Sequence, residues 1–444
     1  MNVGFFGIQF SFGLQQSNMS PIYSYLGADP ENLAILWLAG PITGLVVQPI
    51  IGAMSDGTWS PRFGRRKPYF LVGAILASIA LIAMPYSSSV WMAASLLWIL
   101  DAANNIAMEP YRALVTDVLP EKQHSLGFLM QSFFTGLGTT LANFSPAILA
   151  SLGWLSLTDR MDNGIPTFTY WAFGIGAFAS IATVLYSVLT TKEHPPTEEE
   201  LAKIRAEREK GSVLKRTFHE VKIAFKEMPL TMKYLIPVQF FTWFGMFCYW
   251  QYITLALSSS LYDTVDPASE GFPLAQAITG NMNGGYNIVC FLVAFLLVPV
   301  ANKLGAKKVH FLCLMAGGIG LISLPFLSAD AILFSIPNIF GEGSFDIAQI
   351  YLISFGLGLA WASMLAIPYK ILAGSIPASK TGVYMGIFNM FIVVPMIIQI
   401  FVVQYFLYDA LGSNPVNIII VAGICLILAA FFTLIIKDKL KELY

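Results

Sequence analysis

Twelve apolar runs, each long enough to cross a lipid bilayer, constrain this chain more than any other feature of its sequence. A transmembrane helix needs about 17–25 mostly apolar residues. Runs of that kind lie near 3–27, 32–55, 68–87, 89–117, 124–153 and 166–190, and again near 230–261, 273–302, 308–328, 345–374, 381–409 and 415–436. The expected fold class is all-α, a polytopic membrane protein with twelve transmembrane helices in two six-helix bundles. Residues 1–190 are expected to form the first bundle, 191–229 a cytoplasmic linker with a short charged helix, and 230–444 the second bundle with a short cytoplasmic tail.

Composition agrees: 56% of residues are hydrophobic and 11% charged, which excludes an ordinary soluble domain. With a net charge of −1 and basic residues confined to short clusters, nothing points to a nucleic-acid partner. Cys248, Cys290, Cys313 and Cys425 fall inside apolar runs without metal-ligand spacing and read as buried thiols. The first run lacks a basic n-region and is expected to be retained as a helix rather than cleaved as a signal peptide.

Orientation follows from Lys and Arg, which favour the cytoplasmic side of short loops. With both termini cytoplasmic, inner segments collect Arg62, Arg65, Arg66, Lys67, Lys122, the basic residues between Lys192 and Lys226, Lys303, Lys307, Lys308, Lys380, Lys437, Lys439 and Lys441, leaving Arg160 outside. In the linker, Pro195-Pro196-Thr197-Glu198-Glu199-Glu200 resembles a capping box opening a helix over Leu201 to Lys210. The halves also repeat weakly: Pro110-Tyr111-Arg112-Ala113-Leu114 is echoed by Pro368-Tyr369-Lys370-Ile371-Leu372, and Phe63-Gly64-Arg65-Arg66-Lys67 by Leu304-Gly305-Ala306-Lys307-Lys308.

Asp101 is the residue that needs a reason. A carboxylate near a bilayer centre costs about 2.5–3.5 kcal/mol on insertion scales, so such a group faces a protein interior or a watery cavity and is a functional hypothesis by default. On a helix, Asp101, Asn104, Asn105, Met108 and Arg112 share one face. Glu109 and Arg112, three apart, are expected to pair locally, while Arg112 lies about 16 Å along the helix from Asp101, too far for an ion pair. Without an intrahelical cation, Asp101 is expected to bind a proton on one side and release it on the other, with Asn104 and Asn105 supporting it or the substrate. The alternative is a buried acid satisfied by its neighbours, with no transport role.

The stretch Gly52-Ala53-Met54-Ser55-Asp56, followed by Arg62-Phe63-Gly64-Arg65-Arg66-Lys67, resembles the major facilitator signature between helices two and three. That resemblance implies two six-helix halves with a substrate site near the midplane. It also implies a cytoplasmic latch, for which Asp56, Arg62, Gly64, Arg65, Arg66, Glu109, Arg112 and Asp117 are the candidates. Leu100-Asp101-Ala102-Ala103-Asn104-Asn105, with Pro110, Arg112-Ala113-Leu114 and Asp117, is similar to the sucrose/proton symporter family and its bacterial and animal disaccharide-transporter relatives. Gly13-Leu14-Gln15-Gln16, Pro21 and the run from Trp37 to Gly52 follow the same family pattern. The resemblance implies uptake of a glucoside such as sucrose or maltose with a proton, Asp101 matching the family's protonated aspartate. Plant members place a basic residue on the following helix, whereas Ser125 to Leu152 contains none, so Asp101 requires a different partner or has none.

A sugar needs directional amides and flat aromatic faces. Gln16, Gln131, Gln239, Gln251, Asn283, Asn287 and Asn389 are the amide candidates, with Gln16 and Asn287 foremost, and Trp243, Trp250 and Trp361, joined by Tyr252, are the platform candidates. Each aromatic also fits ordinary packing or an interfacial belt. No catalytic or metal site is expected: the four histidines sit in loops or at their edges, and neither H-E-x-x-H nor paired intramembrane aspartates occur. The expectation is therefore a non-enzymatic monomer in an inner or plasma membrane, whose partners are a small sugar and the lipid bilayer, with no cofactor beyond a co-transported proton. A sodium-coupled glycoside symporter, an uncoupled facilitator or exporter, and a non-transporting sugar sensor stay open as alternatives.

Overall fold

The computed structural model describes residues 1–444 except 57, 62, 154, 194, 196, 199–224, 338–343, 374, 377–380 and 437–444. Arg62 and the charged helix expected over 201–210 lie outside the described residues. The chain opens with α1 (Val3–Tyr25), a 3-10 turn (Pro30–Asn32), α2 (Leu33–Leu36), α3 (Ala39–Asp56), α4 (Lys67–Ala83), α5 (Val90–Val118), α6 (Glu121–Ser151) and α7 (Thr167–Thr190). It continues with α8 (Leu230–Tyr262), α9 (Gly271–Leu304), α10 (Ala306–Ile322), α11 (Leu352–Ala373), α12 (Thr381–Val402), which runs on through a π-helical turn (Val403–Leu407), and α13 (Pro415–Ile435). Among the described residues, eight helical stretches are long and apolar enough to cross a membrane.

The elements follow the sequence closely but break in places the apolar runs hide. The run near 32–55 is interrupted at Trp37, where α2 ends before α3 begins. The run near 308–328 leaves the α-helix at Ile322, and residues 345–348, expected to open the next span, instead form a strand. That strand, β2 (Ser344–Ala348), pairs antiparallel with β1 (Ile332–Pro337), a two-stranded addition to an otherwise helical fold. His310, expected at a loop edge, is fully buried in α10 with Nδ1 3.0 Å from Ser363 Oγ.

Two compact units divide the chain, one comprising the described residues of 1–16, 38–142 and 169–219, the other the described residues of 17–37, 143–168 and 220–444. In the first, Phe5, Ile8, Phe70, Ala74, Ala107, Tyr111, Leu114 and Val184 form a buried core, and α4 meets α5 so closely that a Cβ on Gly73 would lie 2.6 Å from the Ala103 carbonyl oxygen. In the second, Met232, Leu235, Val238, Leu372, Ile387 and Phe388 anchor the core. Large apolar side chains point outward on α4 and α7, Ile79, Ile82, Phe178 and Leu189 among them. Lipid tails, as apolar as leucine, cover such a surface at little cost. Residues 3–16 of α1 instead bury Gln9, Ser11 and Gln15, so amides and hydroxyls are held inside protein.

Candidate functional site

The polar stripe of α5 is real as far as Met108. Ser89 caps the helix by accepting from the Met92 amide, and the helix continues through Pro110 to Val118. Asp101, Asn104, Asn105 and Met108 are all buried, whereas Arg112 is exposed. No ion pair joins Glu109 to Arg112, contrary to expectation: the Glu109 side chain turns toward Gly52 on α3, its Cγ 3.7 Å from where a Cβ there would lie, while Arg112 points into the open.

Neighbouring helices complete the stripe with neutral groups. Gln15 Nε2 donates to Asp101 Oδ1 at 2.9 Å. Gly40 brings α3 beside the other carboxylate oxygen, and a Cβ there would lie 3.6 Å from Oδ2. Asn104 Nδ2 donates to Ser11 Oγ at 2.9 Å. Asn105 donates to Thr43 Oγ1 at 3.2 Å and to the Asp101 carbonyl at 2.9 Å, and accepts from Gln48 Nε2 at 2.6 Å. Among the described residues both ion pairs belong to Arg66, so Asp101 is held without a cation. A buried charge with no counter-ion is costly, and a bound proton removes that cost. The amide partner suits either state, since an N–H can donate to a carboxylate or to the carbonyl oxygen of a carboxylic acid.

Gln15 and not Gln16 makes this contact. The two differ by about 100° around the helix, and Gln16 carries a buried Oε1 without a partner among the described residues. Gln15 and Gln48 both stand in the stretches that carry the family resemblance, but only the packing of α1 and α3 on α5 reveals which amide reaches which acid.

Arg66 organises the end of the unit where α3 leads into α4. Its Nη2 meets Asp56 at 2.6 Å, its Nε meets Asp117 at 2.7 Å, and Nη1 donates to Ser55 Oγ at 2.6 Å. Burial opposes the charge of this guanidinium, yet Asp117 and then Asp56 raise its pKa above the ordinary arginine value. Arg65 contributes its backbone instead. The amides of Arg65, Arg66 and Lys67 donate to the Glu193 carboxylate at 2.6, 3.0 and 3.1 Å, an anion seated on the N-terminus of α4. Gly64, at φ +77°, makes room for it: a Cβ there would lie 2.6 Å from the Glu193 carboxyl carbon. Glu193 escaped the sequence reading because it lies 128 residues from Arg65.

In the second unit, Trp243, Trp250 and Trp361 meet edge-on or tilted, with centroids 5.6 to 6.4 Å apart. Tyr286, unforeseen, joins them 6.3 Å from Trp361 and accepts a hydrogen bond from Trp250 Nε1 at 3.3 Å. Tyr252 lies elsewhere, stacked on Tyr408. Most of the candidate amides already have protein partners. Gln239 accepts from Trp243 Nε1, Gln251 from Gln399 Nε2, and Asn283 from the Tyr249 hydroxyl while donating to Ser17. Asn287 donates to the Asn283 carbonyl, and Gln131, in the first unit, to the Tyr111 carbonyl. Asn389 is half-buried.

Residues 1–266 match the family model of the Major Facilitator Superfamily. The chain belongs to that superfamily. This Major Facilitator Superfamily protein is 26% identical to sucrose transport protein SUT1 of Oryza sativa subsp. japonica, over 92% of this chain and 80% of that one. It is 27% identical to the general alpha-glucoside permease of Schizosaccharomyces pombe, over 57% of this chain and 46% of that one. Among solved structures, nucleoside transporter NupG superposes with a TM-score of 0.65 over 99% of this chain and all of that one, at 15% identity, a likeness of fold. The superfamily match and the apolar helices make the chain an integral, multi-pass membrane protein.

Proposed function

We propose that this chain is a secondary active transporter that imports a disaccharide or glucoside of the sucrose or maltose type together with a proton, by alternating access. It works as a monomer with twelve spans and both termini in the cytoplasm. Asp101 is the proton site, and Asn104 and Asn105 fix the carboxyl group and its helix. Arg66, between Asp56 and Asp117, latches the cytoplasmic end of the first unit. Trp243, Trp250 and Trp361 are the aromatic contacts for the sugar ring, Tyr286 holds Trp250 from its buried position, and Asn287 and Asn389 are the amides that add directional contacts.

The observation that carries this reading is the setting of Asp101, a buried acid inside a span whose carboxylate, among the described residues, is met by the Gln15 amide and by no cation. A structural acid would be expected to find a cation or several donors. The names of the relatives supply the substrate class, sucrose in one and alpha-glucosides in the other. Sodium coupling is less well supported, because no acid lies inside the first two runs.

The reading is tested by reconstituting the chain in vesicles and following radiolabelled sucrose, maltose and glucose with and without an inside-alkaline pH gradient. A disaccharide is expected to accumulate only with the gradient, and a protonophore is expected to abolish accumulation. Transport that ignores the pH gradient but follows sodium, or no sugar movement at all, would replace this reading with the sodium symporter or the sensor.

A further inference from the structure

The β1–β2 hairpin has no part in the chemistry above, yet it presents a segregated apolar face that no other described residue covers. In register, Phe334 stands opposite Ile347 and Ser335 opposite Asp346, so successive pairs alternate between the two faces of the ribbon. One face carries Phe334, Ile336 and Ile347. The other carries the polar pair, Ser335 Oγ donating to Asp346 Oδ1 at 2.5 Å while Ser344 Oγ donates to the same oxygen at 3.2 Å. Phe334 is 57% exposed and Ile336 45%, and Ile332 and Leu333 at the base are 54% and 46% exposed. An isolated two-stranded hairpin is at best marginally stable in water, and this one leaves its apolar side chains uncovered.

Chain connectivity places the base of the hairpin at the start of a helix long and apolar enough to cross a membrane. The spanning stretch that holds α11 begins at Gln349, the residue after β2 ends. The Gln349 amide donates to the Ala331 carbonyl at 2.9 Å and the Ile350 amide to the Ser328 carbonyl at 3.2 Å, binding the base of the hairpin to the start of the span. Exposed apolar side chains continue on both sides along the chain, Phe326 before the hairpin and Leu352 and Phe355 in the first turn of α11. Between 327 and 351 there are three acidic residues, Asp330, Glu342 and Asp346, and no Lys or Arg. Attraction to anionic headgroups is therefore absent, and burial of apolar area is the force that remains.

We propose that the hairpin is a membrane-surface anchor, with Phe334, Ile336 and Ile347 seated at the boundary between lipid headgroups and acyl chains, and Ser335, Ser344 and Asp346 facing water. It lies at the bilayer surface where α11 enters, and it sets the depth of that helix independently of what the protein transports.

The test places an environment-sensitive fluorophore at Phe334→Cys or, separately, at Asp346→Cys, in the full chain reconstituted in phosphatidylcholine nanodiscs, with the label on native cysteines subtracted. A nitroxide carried high on the acyl chain is expected to quench the label at 334 by about twofold or more over the label at 346, while aqueous iodide gives the reverse order. Ile336→Cys should behave like Phe334→Cys, which covers the case in which one variant folds poorly. Added phosphatidylglycerol should leave the ratios unchanged. Equal quenching at 334 and 346 would overturn the proposal, as would quenching that requires the anionic lipid. Self-quenching between labels at 334 without lipid quenching would also overturn it and point to a second copy.

Discussion

The side-chain amide of Gln15 donates to Asp101 Oδ1 at 2.9 Å, so the acid buried in α5 meets a neutral dipole from α1 rather than a cation. Such a partner can hold the carboxyl group in place through both protonation states. A hydrogen bond to a charged group is worth about 1.5–3 kcal/mol, so Gln15→Leu should slow proton-driven sugar uptake by about tenfold or more. Initial uptake rates in vesicles check this, and near-native rates would remove Gln15 from the coupling site.

Arg66 makes three contacts that a lysine could not reproduce, because Nε, Nη1 and Nη2 each reach a different partner. Arg66→Lys is therefore expected to lower the thermal unfolding midpoint in detergent, with a stability loss of about 1–3 kcal/mol. Asp117→Asn should lose less, since the amide still accepts from Nε. A lysine variant as stable as the native chain would contradict the latch.

Gly64→Ala sets a Cβ against the Glu193 carboxylate on a backbone at φ +77°. The left-handed conformation alone costs a non-glycine residue about 1–2 kcal/mol, and displacing Glu193 uncovers the N-terminus of α4. Gly64→Ala and Glu193→Gln should both destabilise, and their losses should sum to less than strict additivity, because only the backbone strain of Gly64→Ala is independent of the Glu193 contact. Strict additivity in a double-mutant cycle would argue against the cap.

Within one helix, the sequence is readable from spacing alone: Asp101, Asn104, Asn105 and Met108 share a buried face because 3.6-residue periodicity puts them there. Contacts between helices are not readable in that way. Gln15 over Gln16, Glu193 beneath Arg65 and Tyr286 beside Trp361 all depend on helix rotation and close approach, which residue type does not encode. Glu109 and Arg112 show the reverse error, a spacing that permits a pair the packing does not make. The hairpin was hidden because the run near 345–374 takes most of β2 as the start of a span, which leaves Ile332–Pro337 in a loop without a pairing partner.

Under the proposed function, Trp361 serves substrate contact and Gln131 serves packing, and paired variants separate the two. Removing the Trp361 face should weaken sugar binding without touching the proton site, so Trp361→Ala should raise the KM for sugar by about tenfold, in line with the 0.5–1.5 kcal/mol of an aromatic contact plus its lost area. Gln131→Ala should leave KM unchanged and cost about 1 kcal/mol of stability, because its amide serves the Tyr111 carbonyl. Steady-state uptake and thermal unfolding of both variants check the pair, and a KM change confined to Gln131→Ala would reverse the assignment.

The most direct test is uptake by Asp101→Asn in vesicles under an inside-alkaline gradient, measured beside equilibrium sugar exchange. The amide imitates the protonated acid but cannot release a proton. The expected result is loss of accumulation with exchange retained. If Asp101→Asn concentrates sugar against its gradient as the native chain does, Asp101 is not the proton site.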